Sequence, residues 1–255
     1  ASMWIDTHCH LDAAEFAADR DGVVAAAHAA GVDTFVVPAV EVANFSAVRA
    51  CVERYPGCVA AYGIHPMYTP RATDDDLLSL REWVERERPV AVGEIGLDHF
   101  VPGLDPERQR DFFIAQLKIA REYDLPVLLH VRRAVDDILR ELRRYRVRGG
   151  IAHAFNGSRQ QAEMFIELGF ALGFGGAMTW SRATRLQELA TTLPLEAIVL
   201  ETDAPDIPPE FVGKERNEPA FLPRIAESLC ELRAIPPEAL AAATRQSAAR
   251  VLPGI

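Results

Sequence analysis

Met3-Trp4-Ile5-Asp6-Thr7-His8-Cys9-His10 is an apolar run that breaks into polar, metal-competent side chains at its C-terminal end. Alternate residues of a strand point to one side, so His8 and His10 share a face and can grip one metal ion. Asp6 has the same parity and is expected to accept a hydrogen bond from one of those imidazoles. Five further segments have the same form: Val59 to Pro66 (VAAYGIHP), Val90 to Asp98 (VAVGEIGLD), Pro126 to His130 (PVLLH), Gly150 to Asn156 (GIAHAFN) and Ala197 to Pro205 (AIVLETDAP). A barrel whose strand ends converge on one metal centre produces that pattern.

Working outward, apolar runs fall at Met3 to Ile5, Thr34 to Val40, Val59 to Ile64, Val90 to Ile95, Val127 to Leu129, Gly150 to Ala154, Ala171 to Gly175 and Ile198 to Leu200. Several are continuous and rich in Val and Ile, as parallel strands covered on both faces require. Helical periodicity fills the intervals, from Ala13 to Ala30 through Arg182 to Thr192, and two more helices follow the last strand, Glu218 to Leu232 and Pro237 to Leu252. Strand then helix, eight times over, predicts an α/β fold of the (β/α)8 TIM-barrel type, with residues 3–255 as one domain and the metal site at the C-terminal ends of the strands. Asp12 followed by Glu15 reads as a capping box, and Pro106 with Glu107 as a helix start. Gly173-Phe174-Gly175-Gly176 lacks the register of a dinucleotide or phosphate loop and reads as close chain approach.

Of the 255 residues 49% are hydrophobic, enough for one large core. Neither a signal peptide nor a membrane span is evident, and Ala1-Ser2 ahead of Met3 reads as an appendage. Four scattered cysteines without C-x-x-C spacing argue against a disulfide framework or a thiolate zinc site and point to the cytoplasm. A formal charge of -10 disfavours a function whose affinity comes from phosphate contacts alone. Bound divalent ions would neutralise part of that charge, and Arg132, Arg133, Lys214 and Arg216 are candidates for a local positive rim.

Five of the seven histidines, His8, His10, His65, His130 and His153, stand at or just past strand ends. Glu94 interrupts a strand otherwise fit for burial, where an unpaired carboxylate is costly; a metal or a buried arginine would resolve that. Midway round the barrel, Glu94 can reach two ions with its two oxygens. His130 and His153 are candidate ligands of the second ion or core histidines. Asp203 ends the last strand, next to His8 and His10 if the barrel closes, where it can ligate the first ion and take the proton of an attacking water. Glu201 is expected to anchor a loop or a ligand histidine. His65 reads as a substrate contact or a packing residue, and Arg132, Asn156 and His99 as substrate contacts. Cys9, of opposite parity to its neighbours, is expected to be packed.

Asp6-Thr7-His8-Cys9-His10-Leu11-Asp12, Gly63-Ile64-His65-Pro66, Gly93-Glu94-Ile95-Gly96-Leu97-Asp98, Leu129-His130-Val131-Arg132, His153-Ala154-Phe155-Asn156-Gly157-Ser158, Glu201-Thr202-Asp203-Ala204-Pro205 and Arg216-Asn217-Glu218-Pro219 resemble the TatD family of metal-dependent deoxyribonucleases. The resemblance spans the chain. It implies a barrel of the amidohydrolase superfamily with His8, His10, Glu94, His130, His153 and Asp203 as ligands. It further implies two divalent metal ions (Mg²⁺, Mn²⁺ or Zn²⁺), Asp203 and Glu94 as the catalytic carboxylates, and transient binding of DNA or a small phosphodiester, with no membrane and no stable protein partner. Departures from the family pattern are Ser247 in place of an asparagine, His99-Phe100 after the fourth strand and the loop after Pro205. The rival readings are a hydrolase of a small amide, lactone or phosphorylated metabolite, and a metal-stabilised scaffold without turnover.

Overall fold

A computed structural model describes residues 3–255; the Ala1-Ser2 reading lies outside the described residues. Eight parallel strands follow one another in a single sheet: β1 Trp4–Asp6, β2 Val32–Pro38, β3 Cys58–Tyr62, β4 Ala91–Asp98, β5 Val127–Arg132, β6 Gly150–Ala152, β7 Phe170–Phe174 and β8 Ile198–Leu200. Between and after them run α1 Arg20–Ala29, α2 Phe45–Arg54, α3 Asp74–Glu87, α4 Pro106–Glu122, α5 Val135–Arg144, α6 Arg159–Glu167, α7 Thr184–Thr192, α8 Leu222–Arg233 and α9 Pro237–Val251. The expected (β/α)8 barrel is what the chain forms. Among the described residues no helix is long and apolar enough to cross a membrane.

Each strand contributes one side chain to an inner layer: Ile5, Val36, Ala61, Ala91, Leu128, Ile151, Ala171 and Val199. Mixing alanines with larger side chains fills the narrow interior. From α9, Ala248, Val251 and Leu252 join that layer. Neighbours of opposite parity, such as Val37, Val92, Leu129 and Leu200, pack outward against the helices.

Inside the barrel the backbones approach closely. Gly96 adopts φ 151°, and a Cβ there would lie 1.9 Å from the His130 carbonyl oxygen, so no other residue fits without displacing β5.

One helix differs from its reading. Ala13 to Ala30 is not continuous: a 3₁₀ turn at Ala14–Phe16 precedes α1. Arg20 breaks the run by turning its guanidinium back onto the carbonyls of Leu11 (2.7 Å) and Ala13 (2.9 Å). Asp12 therefore caps nothing; it accepts from the Asn44 side chain. The capping boxes of this chain are Thr73 with Asp76 and Ser158 with Gln161, whereas Pro106 does begin α4, behind Asp105.

Candidate metal centre

Strand parity alone does not build the centre. Ile5 lies in the inner layer, and strict alternation from it would send His8 and His10 outward; β1 ends at Asp6, and bends at Thr7 and His8 reset the direction. Asp6 does not hold an imidazole as expected. Its carboxylate accepts from Thr202 N (3.0 Å) and Thr202 Oγ1 (2.5 Å), so it braces the segment after β8, and burial pushes it up to about 7. A register irregularity between Val92 and Ile95 does the same for β4: Ala91 faces inward, Ile95 packs outward, and Glu94 turns into the barrel.

The two oxygens of Glu94 face different imidazoles. Oε1 lies 3.1 Å from His8 Nε2 and 3.4 Å from His10 Nε2. Oε2 lies 3.3 Å from His130 Nδ1, 3.5 Å from His65 Nε2 and 3.8 Å from His153 Nε2. Asp203 Oδ1 is 3.3 Å from His10 Nε2 and 3.6 Å from both His8 Nε2 and His153 Nε2. Donor atoms around a tetrahedral ion with bonds of about 2.0–2.2 Å sit roughly 3.3–3.6 Å apart, so the spacing suits a divalent cation. Glu94 belongs to both the group with His8 and His10 and the group with His65 and His130.

The far nitrogens decide which imidazoles offer a lone pair. His130 Nε2 donates to Asp98 Oδ2 (2.8 Å), leaving Nδ1 to face Glu94. His153 Nδ1 lies 3.0 Å from Glu201 Oε1, off the line of a hydrogen bond, and presents Nε2 inward. Glu201 Oε1 also accepts from Ala154 N (2.5 Å), which fits its expected anchoring role. His65 is the reverse case: its Nδ1 accepts from Met67 N (3.1 Å), so in the neutral ring Nε2 bears the hydrogen that points at Glu94. Gly173 makes room for Glu201, since a Cβ there would lie 2.4 Å from Glu201 Oε2; this is the close approach read from Gly173-Phe174-Gly175-Gly176.

Burial opposes ionisation of Glu94, but His8, His65 and hydrogen bonds from His10 and His130 outweigh it and hold the carboxyl well below its usual range. Asp203 is likewise held down against burial, by His153 and His10. Burial lowers His8 and His65 and so favours their neutral rings. Three non-glycine residues just past strand ends take left-handed φ values, Arg133 (52°), Ala154 (47°) and Asp203 (56°). Such strain gathers where side chains must be aimed.

Of the six expected ligand residues, His10, Glu94, His130, His153 and Asp203 line one cavity with His65, and His8 is buried directly behind it against Glu94 and Asp203. Arg132 lines the mouth but is exposed, stacked on Phe100 instead of beside Glu94. Asn156 lines the cavity. His99 does not: its Nδ1 turns to Asp137 of α5, 3.5 Å away. Of the expected basic rim only Arg132 and Arg133 line the mouth; Arg216 is tied to Asp19 (2.7 Å). Ser247 sits on α9 and donates to the Ala243 carbonyl. Cys9 is packed in the outer core. Two residues quoted in the motifs carried no assigned role. Asp98 ends β4 as an ordinary strand-terminal aspartate, and buried Asn217 ties the Thr202, Asp206 and Ile207 carbonyls together (2.8–3.2 Å).

A (β/α)8 barrel carrying histidines and carboxylates at the C-terminal ends of its strands is the architecture of a metal-dependent hydrolase. The model of the TatD related DNase family matches residues 5–253, and the chain belongs to that family. The uncharacterized metal-dependent hydrolase YjjV of Escherichia coli K12 is 43% identical over 245 residues, 94% of each chain. The 3'-5' ssDNA/RNA exonuclease TatD of Salmonella typhimurium is 35% identical over 255 residues, 95% of this chain and 96% of that one. The crystal structure of the E. coli YjjV TatD homologue superposes with a TM-score of 0.95 at 40% identity, covering 99% of this chain and 98% of the other.

Proposed function

We propose that the protein hydrolyses phosphodiester bonds of single-stranded nucleic acid from one end, as a single cytoplasmic hydrolase domain using two divalent ions, Mg²⁺, Mn²⁺ or Zn²⁺. The observation that carries this reading is the division of labour at Glu94, whose two oxygens serve two groups of imidazoles. His8, His10 and Asp203 would hold one ion, His130 and His153 the other, with Glu94 common to both. Bound ions lower the pKa of water and offset the charge that develops on the phosphoryl group.

The chain's own residues do the rest. Asp203 stays ionised and, 3.3 Å from His10, accepts the proton of the attacking water; its position, not a raised pKa, makes it a base. His65 keeps its Nε2–H towards Glu94 Oε2 (3.5 Å) and steadies the carboxylate that the two groups of imidazoles share. Asp98 fixes the His130 ring by a hydrogen bond, and the Glu201 carboxylate faces His153 Nδ1 at 3.0 Å from behind. The cavity, about 1130 Å³, lies at the upper edge of small-molecule sites and suits an extended substrate. The exonuclease activity named for the Salmonella relative agrees with this reading.

The test is product analysis with end-labelled single-stranded DNA and RNA beside bis(4-nitrophenyl) phosphate, each with several purified divalent ions. Mononucleotides released from one end are expected. Cleavage of the bis-ester with both nucleic acids left intact would transfer the centre to small phosphodiesters.

A further inference from the structure

The mouth of the cavity is electrically lopsided. On the side of β8, β1 and β2 its lining carries Asp12, Glu15 and Asp206, with Glu41 beside them already paired to Arg71 (2.6 Å). Across the barrel, past the ends of β4 and β5, it carries Phe100, Arg132 and Arg133. The guanidinium carbons of Arg132 and Arg133 lie 3.8 and 4.8 Å from the Phe100 ring centroid, two cations gathered on one aromatic ring that is itself 43% exposed.

Neither guanidinium makes an ion pair or hydrogen bond with another described residue. The acids nearest in sequence are engaged elsewhere: Asp98 by His130, Asp136 by Gln161 (3.0 Å), and Asp137 by Arg140 (3.0 Å) and His99. In a chain with 37 acidic and 27 basic residues, two adjacent unpaired arginines at a cavity mouth call for an external anion. The left-handed φ of Arg133, 52°, keeps its side chain beside that of Arg132 on the ring instead of following the alternation of β5 to the other face.

Resting on the phosphodiester reading of the centre, we infer that Phe100, Arg132 and Arg133 form a subsite for the nucleotide next to the scissile bond. The arginines take the neighbouring phosphate, and a base stacks on the exposed aromatic and guanidinium surface. The acidic rim opposite repels a polyanion, so the strand leaves the centre over β4 and β5 and by no other side. The subsite sets substrate length: a molecule with one phosphate and no neighbouring nucleotide gains nothing from it.

Pentathymidylate and bis(4-nitrophenyl) phosphate are the probes, with Phe100→Ala, Arg133→Ala and the double variant Arg132→Ala/Arg133→Ala. The ratio of kcat/KM for pentathymidylate to that for the bis-ester is expected to fall about ten-fold on loss of the stacking ring. The slope of log kcat/KM for pentathymidylate against log salt should flatten by about 0.7 per arginine removed. Fluorescence anisotropy of labelled pentathymidylate with the metal-stripped protein should rank the variants in the same order. DNA cleavage with wild-type ratio and slope in every variant overturns the subsite and spares the proposed reaction. Pentathymidylate bound by wild type, weakened in the variants, yet uncut with every ion does the reverse. No binding to metal-stripped wild type, with turnover insensitive to the substitutions, also overturns the subsite.

Discussion

At the scale of single residues, Asp98 stands behind His130, one of the proposed metal ligands. Its Oδ2 holds His130 Nε2 at 2.8 Å, and its Oδ1 accepts from Phe100 N and Val101 N, both at 2.9 Å. Asp98→Asn keeps an acceptor for the backbone and loses the anion that orients the imidazole. Metal affinity, read by competition with a chromogenic chelator, is expected to drop by roughly 10–100-fold with the fold intact; an unaltered affinity would refute the positioning role. His8→Ala and Glu94→Ala, after metal removal and controlled reconstitution, should lose turnover while keeping wild-type circular dichroism, and full activity in either would remove it from the reaction. His8, His10, Glu94 and Asp203 were legible as candidate ligands from polar groups ending apolar runs, whereas for His130 and His153 the runs leave ligand and core equally open and only the family motif decides. Asp98 was not, since a strand-terminal aspartate looks like any turn residue. Distance from a strand end also misled for His99, because it does not report on which side of the rim a side chain falls.

Between elements, backbone contact decides what each position tolerates, and two glycines give opposite outcomes. Gly96 lies where β4 meets β5 with φ 151°, and a methyl group would press on the His130 carbonyl oxygen. Gly96→Ala is expected to cost at least about 2 kcal/mol in urea unfolding, through strain and displacement of β5. Gly22 lies in the exposed first turn of α1 with nothing within 4 Å, so Gly22→Ala should gain about 0.5–1 kcal/mol. If the two substitutions had equal effects, the close approach at Gly96 would be wrong. Between α1 and α2, Asp21 accepts from Arg54 (2.7 and 2.9 Å) and Tyr55 (2.6 Å), and Arg54, then Tyr55, hold it below the usual carboxylate range. A depressed folded pKa means its contribution is complete above the unfolded value of about 3.9 and fades as pH falls below it. The Tm gap between wild type and Asp21→Asn should therefore be small, constant above about pH 5, and close towards pH 2; a gap that widens on acidification would reverse the assignment. The strand and helix order was legible from periodicity. The breaks in parity at Thr7–His8 and between Val92 and Ile95 were not, because a bend or bulge is a backbone event that leaves the apolar pattern unchanged.

For the whole molecule, the weak point of the cylinder and its chemistry coincide. Each strand pairs with the next from β1 to β8, but the return from β8 to β1 consists of loop and side-chain hydrogen bonds: Thr7 N to Leu200 O (3.1 Å), Thr7 Oγ1 to Leu200 O (2.8 Å), Asp203 N to His8 O (2.8 Å), His10 N to Ala204 O (2.9 Å) and the Asp6 contacts to Thr202. His8, His10 and Asp203 lie on this seam, with Glu94 opposite them on β4. A cation gripping all four would tie the seam shut and anchor it across the barrel, so binding and folding share free energy. At 100 times its dissociation constant an ion adds about 2.7 kcal/mol, which in a domain of this size raises Tm by about 5–10 °C. Chelation is expected to remove that increment. It should also speed amide exchange at Thr7, His10 and Asp203 far more than at Leu128, which lies mid-strand in β5 between paired neighbours. Equal acceleration at both places, or an unmoved Tm, would mean that the barrel closes without help from its metal centre.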